Sequence, residues 1–183
     1  LSKDIKIDLG LNYFDEFGSR LNRIFNASTT RVPTYFPQFD EYLSGGFPPF
    51  TLSVIVARIH SGKSQTMANF AARQVFHGHN VVLMTLEMSE DAFAQRFDGI
   101  YSGLNINRMY IYEDLQKKLI RELYDLKNNP DIGNLYIKQF PTGEASTTDF
   151  RAYLRELKIR GIEPDIVYVD YINLMKSSKN FGD

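Results

Sequence analysis

Short apolar runs rich in β-branched residues alternate along this chain with longer segments whose apolar residues recur every three to four positions. No other feature constrains the fold as much. The run Thr51 to Val56 is mostly apolar on both faces and reads as a buried, central parallel strand. Lys63 to Phe76 follows with Met67, Phe70, Ala71 and Val75 at helical spacing, and Gly78 stands where a left-handed C-terminal cap belongs. Val81 to Leu86 is strand-like again, and Ser89, Glu90 and Asp91 supply an N-cap and first-turn acids to a helix bearing Phe93, Phe97 and Ile100. An amphipathic helix spans Glu113 to Lys127 and stops at Asn128-Asn129-Pro130. Strand Asn134 to Phe140, loop Pro141 to Asp149, helix Phe150 to Ile159 and strand Ile166 to Val169 complete the alternation. Four strands joined through helices predict an α/β fold with a mainly parallel sheet.

Residues 1–30 are different in character. They are polar and mixed, with one helical stripe of Tyr13, Phe14, Phe17, Leu21, Ile24 and Phe25, and read as a linker or docking helix ahead of a domain over residues 31–183. At 183 residues and 43% hydrophobic composition, one domain with a sizeable core is expected. The apolar runs fall far short of the roughly 20 residues a membrane-spanning helix needs, so a soluble protein is expected. The chain starts at Leu1 with no charged-then-apolar leader, which predicts an excised segment and no export signal. The sequon Asn26-Ala27-Ser28 is then read as chance.

Composition removes whole classes of chemistry. With no cysteine and three histidines that lack any HExxH spacing, thiolate nucleophiles and zinc sites are excluded. Lys+Arg 21 against Asp+Glu 22 leaves a net charge of -1, so contact with nucleic acid requires a local patch.

One junction carries chemistry. Gly62-Lys63-Ser64 sits between the strand at Thr51 to Val56 and the helix that follows, preceded by Ala57-Arg58-Ile59-His60-Ser61 in the spacing of a phosphate loop whose first glycine has become alanine. A loop in that position aims backbone N–H groups and the positive end of a helix dipole at one point, where phosphate oxygens accept them. Lys63 would reach the β- and γ-phosphates, and Ser64 would ligate Mg²⁺. Glu87, at the end of the second strand, would project from the carboxyl edge where ligands of open α/β sheets bind, placed to orient or deprotonate an attacking water. Asp170 closes the apolar strand Ile166-Val167-Tyr168-Val169 in the manner of a Walker B aspartate, holding Mg²⁺ directly or through water.

These segments resemble the ATPase domain of the DnaB-type replicative hexameric DNA helicases, in the T-even phage branch, over nearly the whole chain. Ala57 to Ser64 is similar to the family's Ala-Arg-x-x-x-Gly-Lys-Ser/Thr loop, Thr85-Leu86-Glu87-Met88-Ser89 to its second-strand motif, and Val169-Asp170-Tyr171-Ile172-Asn173-Leu174-Met175 to its Walker B segment. Gly78 to Leu83 and Lys138 to Gly143 look like the phage branch. The resemblance implies a RecA-like P-loop NTPase core, incomplete toward the C-terminus, with a sensor strand, DNA-binding loops and arginine finger downstream of Walker B. The family's sheet places that sensor strand beside the Walker A strand. It further implies ATP and Mg²⁺ as ligands, with Arg58, Ile59, His60, Ser61, Gly62, Lys63, Ser64 and Gln65 around the phosphates. Ser64 and Asp170 would serve the metal, and Glu87 and Lys63 catalysis. Single-stranded DNA, further copies of the chain in a hexameric ring, a primase and a helicase loader are the implied partners, in a host cytoplasm. Asn173 departs from the family pattern and receives no role.

Other features read plainly. His77 and His79 flank the capping glycine and suit the dipole's negative end, while His60 is read as a solvent-facing loop side chain ahead of a phosphate contact. Lys117, Lys118 and Arg121 share a helix with Glu122 and Asp125 and read as a solvated face. The aromatics are expected in the core. Two alternatives stand beside the helicase reading: a RecA-like ATPase that remodels DNA or protein without unwinding, and a non-catalytic subunit that binds nucleotide only to assemble.

Overall fold

The computed structural model describes residues 10–26, 30–58 and 61–176. Two compact units emerge, residues 1–30 and residues 31–183. The first contributes one helix, α1 (Phe17–Phe25), with its apolar stripe in solvent: Phe17, Ile24 and Phe25 are all more than half exposed.

The second unit holds helices α2 (Pro37–Tyr42), α3 (Lys63–Phe76), α4 (Glu90–Ser102), α5 (Glu113–Lys127) and α6 (Thr147–Ile159), and strands β1 (Val81–Thr85), β2 (Leu135–Gln139) and β3 (Ile166–Asp170). A short 3₁₀ turn, Ile172–Leu174, follows β3. The strands form one parallel sheet in the order β2-β1-β3, with Val81 beside Leu135 and Ile166 and Thr85 beside Gln139 and Asp170.

The central strand explains why the sheet is covered on both sides. Side chains alternate across a strand, and all five residues of β1 are buried. Val81 and Leu83 join Met67, Phe70, Phe93 and Phe97 from α3 and α4 in one cluster. Val82 and Met84 join Leu86, Phe140, Phe150 and Leu157 in the other, beneath α6. Phe93 is fully buried, so truncating it to alanine costs about 3–5 kcal/mol.

Local signals place the helix ends. Ser89 Oγ accepts from Ala92 N–H at 3.1 Å at the start of α4. Gly78 takes φ +90° after α3, a conformation in which a side chain would be strained. At α6 the Ser146 side chain and the Asp149 carboxylate form a reciprocal capping box. The helix therefore begins a turn before Phe150, and the expected loop over Pro141 to Asp149 is shorter. Helix α2 starts with proline at its first turn and is tied down by Asp40, which accepts from Thr34 N–H at 2.7 Å and Tyr35 N–H at 2.9 Å.

Two expectations are corrected. Among the described residues the segment Thr51 to Val56 is neither buried nor paired: Leu52 is 83% and Val56 88% exposed, and three strands make up the sheet where four were expected. A strand is stabilised by its neighbours, and no described strand lies alongside this segment to accept its ladder. The aromatics are not uniformly core either. Phe70, Phe93 and Phe97 are, whereas Phe14, Phe25, Tyr42, Phe50 and Tyr124 stand mostly in solvent.

Candidate functional site

The carboxyl edge of the sheet brings the chemically able residues together. Helix α3 packs on β1 through Met67, Phe70, Ala71 and Val75 and runs back to the start of that strand through Gly78, so its N-terminus lies at the strand's carboxyl end. There Gly62 takes φ +87° as the residue preceding the helix, with no side-chain cap on the first N–H groups. Open backbone donors and a helix dipole at that end suit an anion. Ser61 Oγ donates to Arg58 carbonyl at 2.5 Å and Thr66 N–H donates to Gly62 carbonyl at 2.8 Å, holding the turn. Ile59 and His60 lie outside the described residues.

Asp170 ends β3 in register with Thr85 and is 1% exposed, yet its Oδ2 has no hydrogen-bond partner among the described residues. A buried carboxylate oxygen left unpaired is costly, and a bound cation would complete it. Lys63 lies on the same side, its Nζ 5.0 Å from the centre of the Tyr171 ring, the residue immediately after Asp170. The head of α3 and the end of β3 therefore meet through an aromatic contact that the sequence reading did not name. Ser64, partly buried, follows Lys63 at the head of α3, and Arg58, Ser61 and Gln65 are exposed around it.

Glu87 is exposed just beyond β1 on a turn that is strongly braced. Thr85 Oγ1 accepts from Met88 N–H at 2.9 Å and donates to Met88 carbonyl at 3.0 Å. Thr142 donates its hydroxyl to Leu86 carbonyl from the other side. The Thr85 hydroxyl thus closes the turn that carries Glu87, a contact that sequence reasoning missed; its signal was a hydroxyl three residues before Met88 at a strand end, the pattern of a side-chain-closed turn. Glu90 anchors the same region: its carboxylate accepts from Gln139 N–H at 3.0 Å, with Lys138 Nζ 3.5 Å away, and these contacts hold its pKa below the ordinary value.

The donors fit Mg²⁺. Among the described residues no group of three or more His, Cys, Asp or Glu side chains converges on one point. Mg²⁺ characteristically takes one or two protein oxygens and fills its shell with water and substrate phosphate, and the orphaned Asp170 oxygen, with the Ser64 hydroxyl next to Lys63 at the head of α3, suits that pattern. The remaining candidates lie elsewhere. His77 Nδ1 lies 2.7 Å from Arg73 carbonyl at the end of α3, His79 Nε2 lies 2.9 Å from Tyr35 Oη, and Lys117 pairs with Glu113 at 2.6 Å on an exposed face.

Comparison with known proteins places this architecture. Residues 31–182 match the model of the DnaB-like helicase C terminal domain. The chain is 28% identical over 93% of its length to a DnaB-like replicative helicase of Enterobacteria phage T4, and 30% identical over 84% of its length to the replicative DNA helicase DnaB of Helicobacter pylori. It spans 36% and 31% of those proteins, about a third of their length. In three dimensions it superposes on a solved ATPase domain with TM-score 0.71 at 20% identity, covering 97% of this chain and 62% of that one. A DnaB-like replicative helicase whose structure was described with its interactions with primase gives TM-score 0.70 at 21% identity, covering 96% and 42%. The fold is accordingly the RecA-like one of these ATPase domains. The chain belongs to the DnaB-like helicase C-terminal domain family.

Proposed function

We propose that this chain carries the ATP-hydrolysing site of a replicative DNA helicase that translocates on single-stranded DNA as a ring. The observation that carries the reading is the meeting at one sheet edge of the helix-initiating Gly62-Lys63-Ser64, the buried Asp170 with an unpartnered oxygen, and the exposed Glu87 on its braced turn. In this reading the N–H groups at the head of α3 bind phosphate oxygens, and the Lys63 ammonium neutralises charge developing between the β- and γ-phosphates. Ser64 and Asp170 would hold Mg²⁺, which would supply positive charge against the phosphate oxygens. Glu87, solvent-facing and aimed by the Thr85 turn, orients water and takes its proton.

Ring assembly, DNA, primase and loader contacts belong to the same proposal. The neighbour described with primase is similar in fold, and α1 offers the apolar stripe Phe17, Leu21, Ile24 and Phe25, which suits packing on a second copy. No described helix is long and apolar enough to cross a membrane, and a host cytoplasm is proposed from the replicative role alone. Strand displacement on forked DNA by the intact protein, dependent on ATP and Mg²⁺, tests the reading. Hydrolysis without displacement would favour a remodelling ATPase, and nucleotide binding without turnover would favour an assembly subunit.

A further inference from the structure

Glu87 is exposed, and its side chain springs from one peptide unit, Leu86–Glu87, that is held from opposite sides. A peptide unit moves as a plane, so fixing its oxygen and its N–H fixes the Glu87 Cα as well. On the N–H side the Thr85 hydroxyl accepts from Glu87 at 3.4 Å, a long bond, and from Met88 at 2.9 Å. On the oxygen side the Leu86 carbonyl accepts from the hydroxyl of Thr142, 56 residues further along the chain. The loop that carries Thr142 is itself pinned. Phe140 N–H donates to the Thr85 carbonyl at 2.8 Å, and Phe140 and Ala145, on either side of Thr142, are buried in the cluster that holds Leu86. The loop also binds the segment after Asp170: Gly143 N–H donates to the Leu174 carbonyl and Lys176 N–H to the Ala145 carbonyl, each at 2.8 Å. Between these anchors the Thr142 residue is exposed, so it adds little to the core.

We propose that Thr142 is a positioning residue for Glu87, setting the peptide from which that base reaches its water, an inference that rests on the nucleotide-hydrolysis reading above. Without the hydroxyl, solvent satisfies the Leu86 carbonyl and the fold survives, but an exchanging water does not fix the direction of that carbonyl. The peptide plane then pivots about the long Thr85 bond, and the Glu87 carboxylate at the end of its side chain moves with it. A general base acts only within hydrogen-bond reach of the proton it takes, so this freedom falls on the chemical step. Nucleotide binding, carried by the head of α3, is left alone. The bonds from Gly143 and Ala145 to residues 174 and 176 give the hydroxyl a fixed origin, so the Glu87 peptide is referenced to the segment that follows Asp170.

The test separates positioning from folding. Steady-state ATP turnover, equilibrium ATP binding and thermal melting are measured on the intact protein, on Thr142→Val, Thr142→Ala and Thr142→Ser, and on Thr142→Val combined with Glu87→Gln. The two variants without a hydroxyl lower kcat about 10- to 100-fold, the reach of a catalytic group misplaced by about 1 Å, and keep ATP binding within about twofold and melting close to the parent. Thr142→Ser keeps the donor and restores kcat. On top of Glu87→Gln, Thr142→Val has no further effect, because residues that act through one step are not additive, whereas a structural lesion would lower the residual rate as well. Unchanged kcat in both hydroxyl-free variants, an equal further fall on top of Glu87→Gln, or a matching loss of ATP binding overturns the positioning role while the hydrolysis reading stands. A parent protein without turnover overturns the hydrolysis reading and this inference with it.

Discussion

Replacing Asp170 by asparagine should stabilise the metal-free protein while crippling its Mg²⁺ response. Asp170 is 1% exposed and its Oδ2 has no partner among the described residues, so the wild-type side chain carries a desolvation penalty at that oxygen that no described residue offsets by a hydrogen bond. An unsatisfied buried polar atom costs about 1–3 kcal/mol, and more when it is charged. Asparagine keeps the shape and removes the charge but brings an amide that also wants partners, so about half of that penalty, roughly 1 kcal/mol, should be recovered. For a unit of this size 1 kcal/mol moves the melting temperature by about 2–4 °C. The assay is thermal denaturation of the intact protein with and without Mg²⁺, beside a Mg²⁺ titration of ATP turnover. The variant should melt higher without metal, and its turnover should need more Mg²⁺ and reach a lower ceiling. A variant that melts several degrees lower, with an unchanged Mg²⁺ titration, would show that Asp170 holds the fold and that the metal binds elsewhere.

Three further outcomes are expected. Lys63→Ala should abolish turnover, because it removes the ammonium placed at the head of α3, and retained Mg²⁺-dependent hydrolysis would remove the phosphate-loop assignment. The Glu90 carboxylate, whose pKa is held down first by the Gln139 N–H and then by Lys138, stabilises the junction of α4 and β2 fully above the carboxylate's unfolded pKa and less as pH falls through its lower folded value. Glu90→Gln should therefore flatten the acid limb of the stability profile and leave neutral stability lower, read by denaturant melts between roughly pH 3 and 7, a window that brackets a glutamate's ordinary pKa. The 183-residue chain alone should self-associate and show no DNA-stimulated turnover, because the outer edge of β3 is unpaired among the described residues and Leu52, Val54 and Val56 are exposed. A discrete hexamer with DNA-stimulated hydrolysis, by light scattering and ATPase assay, would refute that.

What the sequence revealed depended on how local the cause was. Helix α3 could be bounded because its apolar spacing and Gly78 lie within the segment itself, and β1 because its residues are apolar on both faces. The start of α6 is expected a turn late because Phe150 is the first apolar residue of its stripe, while Ser146 and Asp149, the residues that set the boundary, sit in the supposed loop. Thr51 to Val56 failed for a different reason. Its composition suits a buried strand, but pairing depends on a neighbour, and the family resemblance puts beside it a strand that the described residues do not contain. At the site, Lys63, Glu87 and Asp170 stood out as candidates from strand ends and spacing. The Lys63 contact with Tyr171 and the Thr85 turn did not, since the first joins residues far apart in sequence and the second is a hydroxyl with no charge to advertise it.

In the proposed site Glu87 serves chemistry and not binding, and one comparison tests that directly. Equilibrium ATP binding and steady-state hydrolysis are measured on the intact protein and on Glu87→Gln. Glutamine keeps the shape of an exposed side chain and cannot accept the proton, so binding should stay near that of the parent while hydrolysis falls by roughly two to four orders of magnitude. Equal loss of binding and turnover, or full turnover in the variant, would show that Glu87 is not the base.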